Sequence, residues 1–162
     1  MEKLLKNWKE NSENNYSDNL SFLSSLKGKQ DIDERVKKVH DDVFAGTDCL
    51  ACANCCKTTP AIVESSDVKR IAKFLGISPK GFKRKYLLED FNGEMVIQRA
   101  PCTFLNEDNT CSIYEVRPKA CREYPHTNQK GFSQRAKLNA KNTIVCPAAF
   151  EIVERLKSFK NQ

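Results

Sequence analysis

The stretch Cys49-Leu50-Ala51-Cys52-Ala53-Asn54-Cys55-Cys56 places four thiols within eight residues, and Cys102, Cys111, Cys121 and Cys146 bring the chain to eight cysteines. Two cysteines separated by two residues can converge on one ion while the backbone N–H groups of the loop turn toward the sulfurs, so the spacing recurs in zinc and iron–sulfur sites. Here it occurs twice in succession. Cys49, Cys52 and Cys55 have the spacing of the first three ligands of a bacterial ferredoxin run, which a remote cysteine can complete. Adjacent side chains diverge, so Cys56 either serves a second nearby site or is a buried or reactive spectator. Two tetrahedral sites would use all eight cysteines and suit two zinc ions, whereas one four-iron cluster would leave four over. A lone cysteine is commonly just a buried apolar thiol; that account can serve for one or two of the remote cysteines but not for all four.

The 162 residues, 40% hydrophobic, suffice for one globular unit with a core of ordinary size. Residues Met1–Glu10 mix charges from the second position onward and contain no apolar stretch of a secretory signal, and no other segment approaches the ~18 apolar residues that span a bilayer. No membrane association and a cytoplasmic location are therefore expected. In a reducing compartment, clustered cysteines point to metal or redox chemistry rather than to structural disulfides. The formal net charge is +6. Residues 1–48 carry 8 Lys/Arg against 10 Asp/Glu (−2), which leaves 19 against 11 (+8) for residues 49–162. A four-thiolate zinc site, or a four-iron cluster on four thiolates, has a net charge of −2 and needs nearby cations or N–H donors. The basic excess is accounted for locally in this way and gives no support to a nucleic-acid partner.

The spacing predicts an α-rich fold with minor β-structure: a helical N-terminal extension over residues 1–44, followed by a small irregular cysteine-cluster domain over 45–162. Leu4, Leu5 and Trp8 have helical spacing, a polar stretch with Asn11, Asn14, Asn15 and Asn19 follows, and Leu20, Phe22, Leu23 and Leu26 precede Gly28. Asp31 is placed to cap a helix with the stripe Ile32, Val36, Val39, Val43. Two such helices are expected to pack on the cysteine-bearing part. Further on, Ser66 precedes the stripe Val68, Ile71, Ala72, Leu75 with Gly76 as the stop, and Ser78-Pro79 opens a helix bearing Phe82 and Tyr86. Met95–Ile97 reads as a strand. The one hairpin expected is formed by two short arms, from Cys102 to Ile113, around the turn Asn106–Thr110. Pro147 opens a last helix with the stripe Ala149, Ile152, Val153, Leu156, Phe159.

The run Cys49-x-x-Cys52-x-x-Cys55-Cys56, followed by Pro101-Cys102-Thr103-Phe104-Leu105 and by Cys111-Ser-Ile-Tyr114-Glu-Val-Arg117-Pro118-Lys-Ala-Cys121-Arg122-Glu-Tyr-Pro125, resembles the YkgJ-type cysteine-cluster (CxxCxxCC) family, described as zinc- or iron-chelating. The resemblance spans roughly residues 45–150 and leaves residues 1–44 outside. It implies that Cys49, Cys52, Cys55, Cys56, Cys102, Cys111, Cys121 and Cys146 assemble a metal centre with zinc or iron as cofactor. Related cysteine clusters in flagellin lysine methylases make a 4Fe–4S cluster a candidate, and the resemblance assigns no reaction. In agreement with it, Pro118 fits the first turn of a short helix presenting Cys121, from which the guanidinium groups of Arg117 and Arg122 could donate to thiolates or to a carboxylate.

Other features are weaker. His40 reads as a hydrogen-bonded or surface histidine, while His126, five residues past Cys121, is a candidate imidazole ligand. A Cys121–His126 nucleophilic pair lacks any readable oxyanion hole. Gly76–Gly81 has the glycine spacing of a phosphate loop but carries Phe82 where lysine is required, and no glycine-rich S-adenosylmethionine loop is present. Lys80, Lys83, Arg84 and Lys85, with Phe82 and Tyr86 interleaved, read as a solvated helix face with two aromatics turned inward. Three functional classes remain open: a metal-binding protein, an iron–sulfur redox or accessory enzyme, and a zinc-stabilised interaction or nucleic-acid module. The sequence identifies neither a substrate nor a protein partner.

Overall fold

The computed structural model describes residues 5–159. Among them the helices are α1 (Trp8–Asn14), α2 (Tyr16–Ser24), α3 (Ile32–Phe44), α4 (Asn54–Thr58), α5 (Ser65–Phe74), α6 (Pro79–Tyr86), α7 (Lys119–Glu123), α8 (Ala136–Val145) and α9 (Pro147–Ser158). Strands β1 (Leu87–Glu89) and β2 (Met95–Ile97) lie between α6 and α7, so the fold is α-rich with minor β-structure. None of the described helices is long and apolar enough to cross a membrane. By contacts the chain forms two compact units: Met1–Cys52 with Pro125–Gln162, and Ala53–Tyr124.

In the first unit the period-3.6 stripe of α3, Ile32, Val36, Val39 and Val43, is buried as expected and joins Leu23, Leu26, Phe132 and the α9 residues Ala148, Ile152, Val153 and Leu156 in one core. Full burial of each large aliphatic side chain is worth ~1.5–3 kcal/mol, so the stripes of α3 and α9 contribute substantially to the stability of this unit. The α9 stripe stops one residue short of the expectation: Phe159 follows the helix and is 51% exposed. Leu4, expected on the first stripe, lies outside the described residues.

The polar stretch Asn11–Asn19 is helical, broken only near Asn15, and is tied to α8 at its end by Asn19 and before its start by Trp8. Trp8 Nε1 donates to the Thr143 carbonyl (2.9 Å), and the buried Asn19 Nδ2 donates to Thr143 Oγ1 (3.4 Å). Helix α8 itself has no apolar stripe to announce it. It buries Asn139, Asn142 and Thr143, and the two amides donate to the carbonyls of Phe132 (2.8 Å) and Pro125 (2.9 Å). Asp33 on α3 accepts the N–H groups of Gly131 (2.6 Å) and Phe132 (3.0 Å), and Gly131 takes the left-handed φ of 76° that this turn requires. His40 is satisfied as expected, with Nδ1 2.7 Å from Thr127 Oγ1 and its ring stacked on Phe44 at 4.3 Å.

In the second unit α5 starts at Ser65, so Ser66 lies inside the helix rather than before it. Glu64 and Asp67, rather than Ser66, form the cap, each side chain accepting the other's backbone N–H. Ser78 Oγ accepts the Gly81 N–H (3.0 Å) and Pro79 opens α6, as read from sequence. Phe82 is fully buried and Tyr86 packs beside it, 5.3 Å between ring centroids, while Lys80, Lys83, Arg84 and Lys85 are exposed, the arrangement of an ordinary surface helix.

The hairpin expectation is corrected. The paired strands are β1 and β2, antiparallel with Leu87 opposite Ile97, Leu88 opposite Val96 and Glu89 opposite Met95. Asp90 Oδ1 accepts the N–H groups of Asn92 (2.8 Å) and Glu94 (2.9 Å), and Gly93 adopts φ 80°, so Asn92-Gly93 closes the turn. The arms around Asn106–Thr110 reduce to a single bridge, Leu105 to Cys111. The core of this unit gathers Val68, Ile71 and Ala72 with Phe82, Leu87, Ile97, Phe104 and Ile113, and Cys102 and Cys111 pack against it.

Candidate metal centre

In the second unit backbone bonds draw the cysteine-bearing segments together. Cys55 and Cys56 sit on α4, and the Cys56 carbonyl accepts the Cys102 N–H (2.8 Å). Cys102 opens a turn closed by Leu105 N–H on its carbonyl (3.1 Å), Leu105 bridges to Cys111, and Cys111 opens a second turn closed by Tyr114 N–H (3.1 Å). Ser112 N–H on the Phe104 carbonyl (2.9 Å) holds the two turns side by side. Cys121 arrives from α7, where its N–H bonds the carbonyl of Pro118 (3.0 Å), which stands at the cap position just before the helix rather than within its first turn.

The charges of these thiols act on one another. A hydrogen bond from Cys55, aided by the charges of Lys57 and Arg117, outweighs burial and draws Cys56 down to about 7. Burial raises Cys102, and the charges of Cys56 and Cys111 add to it, while the N–H groups of Phe104 and Leu105 oppose the rise. Burial likewise raises Cys111, against the Ile113 N–H and the Arg117 charge. Cys121 is pushed up to about 12, first by burial and then by Cys56, Cys102 and Cys111. Cys56, Cys102, Cys111 and Cys121 thus act on one another, with the Arg117 charge acting on three of them and Lys57 on Cys56.

In the first unit Asp48 Oδ1 accepts the Leu50 N–H (2.9 Å) and the Cys52 N–H bonds the Cys49 carbonyl (3.2 Å), folding the Cys49–Cys52 segment into a tight turn. Cys146 precedes Pro147 as the N-terminal cap residue of α9. Burial pushes it up to about 11 against the Ala149 and Ala148 N–H groups, which act on the sulfur without closing a capping hydrogen bond, and the charges of Cys49 and Cys52 raise it further. Cys49, Cys52 and Cys146 form the group of this unit. Between Cys52 and α4 the chain passes through Ala53, buried, with a left-handed φ of 48°. A non-glycine residue held there costs on the order of 1–3 kcal/mol.

Arg117 and Arg122 act differently from each other. The Arg117 guanidinium stacks over the Tyr114 ring (3.7 Å), whereas Arg122 Nη1 donates to the Arg117 carbonyl (2.6 Å) and so braces the backbone between them. His126 is half-buried with a left-handed φ of 63°. Missing from the sequence reading is Asp67, whose carboxylate reaches the first residue of α7 (3.2 and 3.3 Å to the Lys119 N–H). Its position in the first turn of α5 signals a cap, but nothing local signals a partner 52 residues away.

Cys49 is exposed, the other seven cysteines are half-buried, and no disulfide joins any of them. Among the described residues no three His, Cys, Asp or Glu side chains converge closely enough to hold an ion as they stand, so the thiols are grouped as neighbours and not as finished coordination shells. The donor set nevertheless suits a thiophilic metal. It is all sulfur, backbone N–H groups act on Cys102, Cys111 and Cys146, and the Arg117 cation offsets the charge of the second unit's group.

An α-rich fold that gathers thiols from sequence-distant turns defines a small cysteine-cluster protein. The chain belongs to the CxxCxxCC family, described as "Putative zinc- or iron-chelating domain", whose match covers residues 48–146, 99 of the 162 residues. No curated protein and no solved structure matches it.

Proposed function

We propose that this protein chelates zinc or iron through two thiolate centres, one in each unit. Cys56, Cys102, Cys111 and Cys121 ligate in one, Cys49, Cys52 and Cys146 in the other, and Cys55, on α4 beside Cys56, is a further thiol ligand in the second unit. The observation that carries the reading is the backbone linkage of Cys56, Cys102 and Cys111, with Cys121 close enough to feel the charge of all three. Sulfurs from four separate segments are gathered beside a guanidinium, an arrangement that an apolar core does not require. A bound ion supplies the attraction that closes such a group, and binding is then coupled to ordering of the segments that bear the ligands. Arg117 and the N–H groups would lower the cost of a thiolate shell of net charge −2.

The test is anaerobic purification of the native protein with elemental analysis, acid-labile sulfide determination and a visible spectrum. Colourless protein with about two zinc ions per chain is the outcome for tetrahedral zinc sites, and brown protein with iron and labile sulfide is the outcome for a cluster. A folded sample free of both metals that takes up neither would refute chelation. Cys121→Ser and Cys146→Ser should each remove metal from one centre and spare the other.

A further inference from the structure

We infer that Asp67 is a positioning residue for the second unit's centre, acting on metal affinity through Arg70 and the Arg117–Cys121 segment. The inference rests on the chelation reading above. The Asp67 side chain is 1% exposed and sits 2.5 Å from Arg70 Nη2. Within its own helix cap it accepts the Glu64 N–H (3.1 Å), and its remaining contacts are to the Lys119 N–H, through both oxygens. Arg70 Nη2 goes on to the Arg117 carbonyl (3.0 Å), the oxygen that Arg122 also reaches. The backbone on either side of Pro118 is therefore held at two points. One of those points is Arg117 itself, whose guanidinium charge acts on Cys56, Cys111 and Cys121, and two residues beyond Lys119 lies Cys121.

A carboxylate buried to this degree is costly unless paired, and a neutral side chain could cap α5. Besides pairing with Arg70 inside α5, its carboxylate accepts the Lys119 N–H across 52 residues of sequence, so one side chain both caps α5 and fixes the start of α7. Holding a ligand in place before the ion arrives is the role of the outer partners of metal ligands, whose loss weakens binding by about 10–100-fold.

The experiment uses the full chain carrying Asp67→Asn or Arg70→Gln, titrated anaerobically with zinc against a chromogenic chelator and with cobalt(II) followed by its visible bands. The expected result is that one class of sites weakens by about 10–100-fold, with altered cobalt band intensities, while the other keeps its wild-type constant. Ser78→Ala, which removes the cap of α6 in the same unit, should lower the denaturation midpoint and leave both constants unchanged. A purely structural Asp67 would destabilise metal-free and metal-loaded protein equally, so wild-type constants in folded Asp67→Asn and Arg70→Gln proteins would overturn the inference. Should Asp67→Asn fail to fold, Arg70→Gln decides, since the Arg70 side chain is 34% exposed and its loss leaves the α5 cap in place. A wild-type chain that takes up neither zinc nor cobalt overturns chelation, and this inference with it.

Discussion

Loading the second unit's thiols with zinc should expel a number of protons that the structure specifies. In the metal-free protein at pH 7, Cys102, Cys111 and Cys121 are protonated, because all three stand above the ordinary thiol value, and Cys56, at about 7, is half protonated. Coordination requires four thiolates, so between three and four protons leave per ion near neutrality, fewer as pH rises through about 7. Affinity must then rise with pH, by about three to four decades per unit around neutrality. The assay is calorimetric titration in buffers of different ionisation enthalpy, on protein carrying Cys49→Ser, Cys52→Ser and Cys146→Ser so that only this group is filled. Release of fewer than about two protons per ion would mean that the four thiols do not enter one shell.

Three further outcomes are expected. Burial depresses His40 below 6.5, partly offset by Asp41 and reinforced by Lys37. The unfolded chain therefore binds the extra proton first, and the stability this group contributes is present above about 6.5 and lost as pH falls through the depressed value. Urea midpoints of metal-free protein should thus drop on acidification less steeply in His40→Gln than in wild type, and parallel slopes would refute this. Asp33→Ala strands the N–H groups of Gly131 and Phe132 and should cost about 1–3 kcal/mol in denaturant melts at saturating metal; a loss below a few tenths would show that water replaces the carboxylate. Metal removal by chelator under reducing conditions should raise amide exchange at Cys56, Cys102, Cys111 and Cys121 and their turns well above that in α3, whose stripe is held by apolar packing. Equal exchange in both regions would contradict a metal-tied fold.

The fold class, the α3 and α9 stripes, the Ser78-Pro79 helix start and the turn that presents Cys121 were legible because each depends on local spacing or on a side chain capping its own helix. Family membership was legible from the cysteine spacing for the same reason. Helix α8 and the helical Asn11–Asn19 stretch were not, since their buried residues are mostly polar and the bonds from Trp8 and Asn19 to Thr143 span more than a hundred residues. The β1–β2 hairpin carried its signal in Asn92-Gly93, but the short strand Leu87–Glu89 has no alternation to mark it.

By itself, the order of amino acids determined that sulfur dominates the chemistry of this chain and where along it the thiols fall, because residue type and spacing are properties of the chain alone. Tertiary structure alone decided which thiols are neighbours and which charges they feel. Cys56 meets Cys102 through a backbone bond and Cys111 by way of the Leu105 bridge, Cys146 feels the charges of Cys49 and Cys52 in the first unit, and Asp67 on α5 meets the start of α7. Such pairings depend on how helices bury their apolar faces, and that is settled only when the whole chain packs.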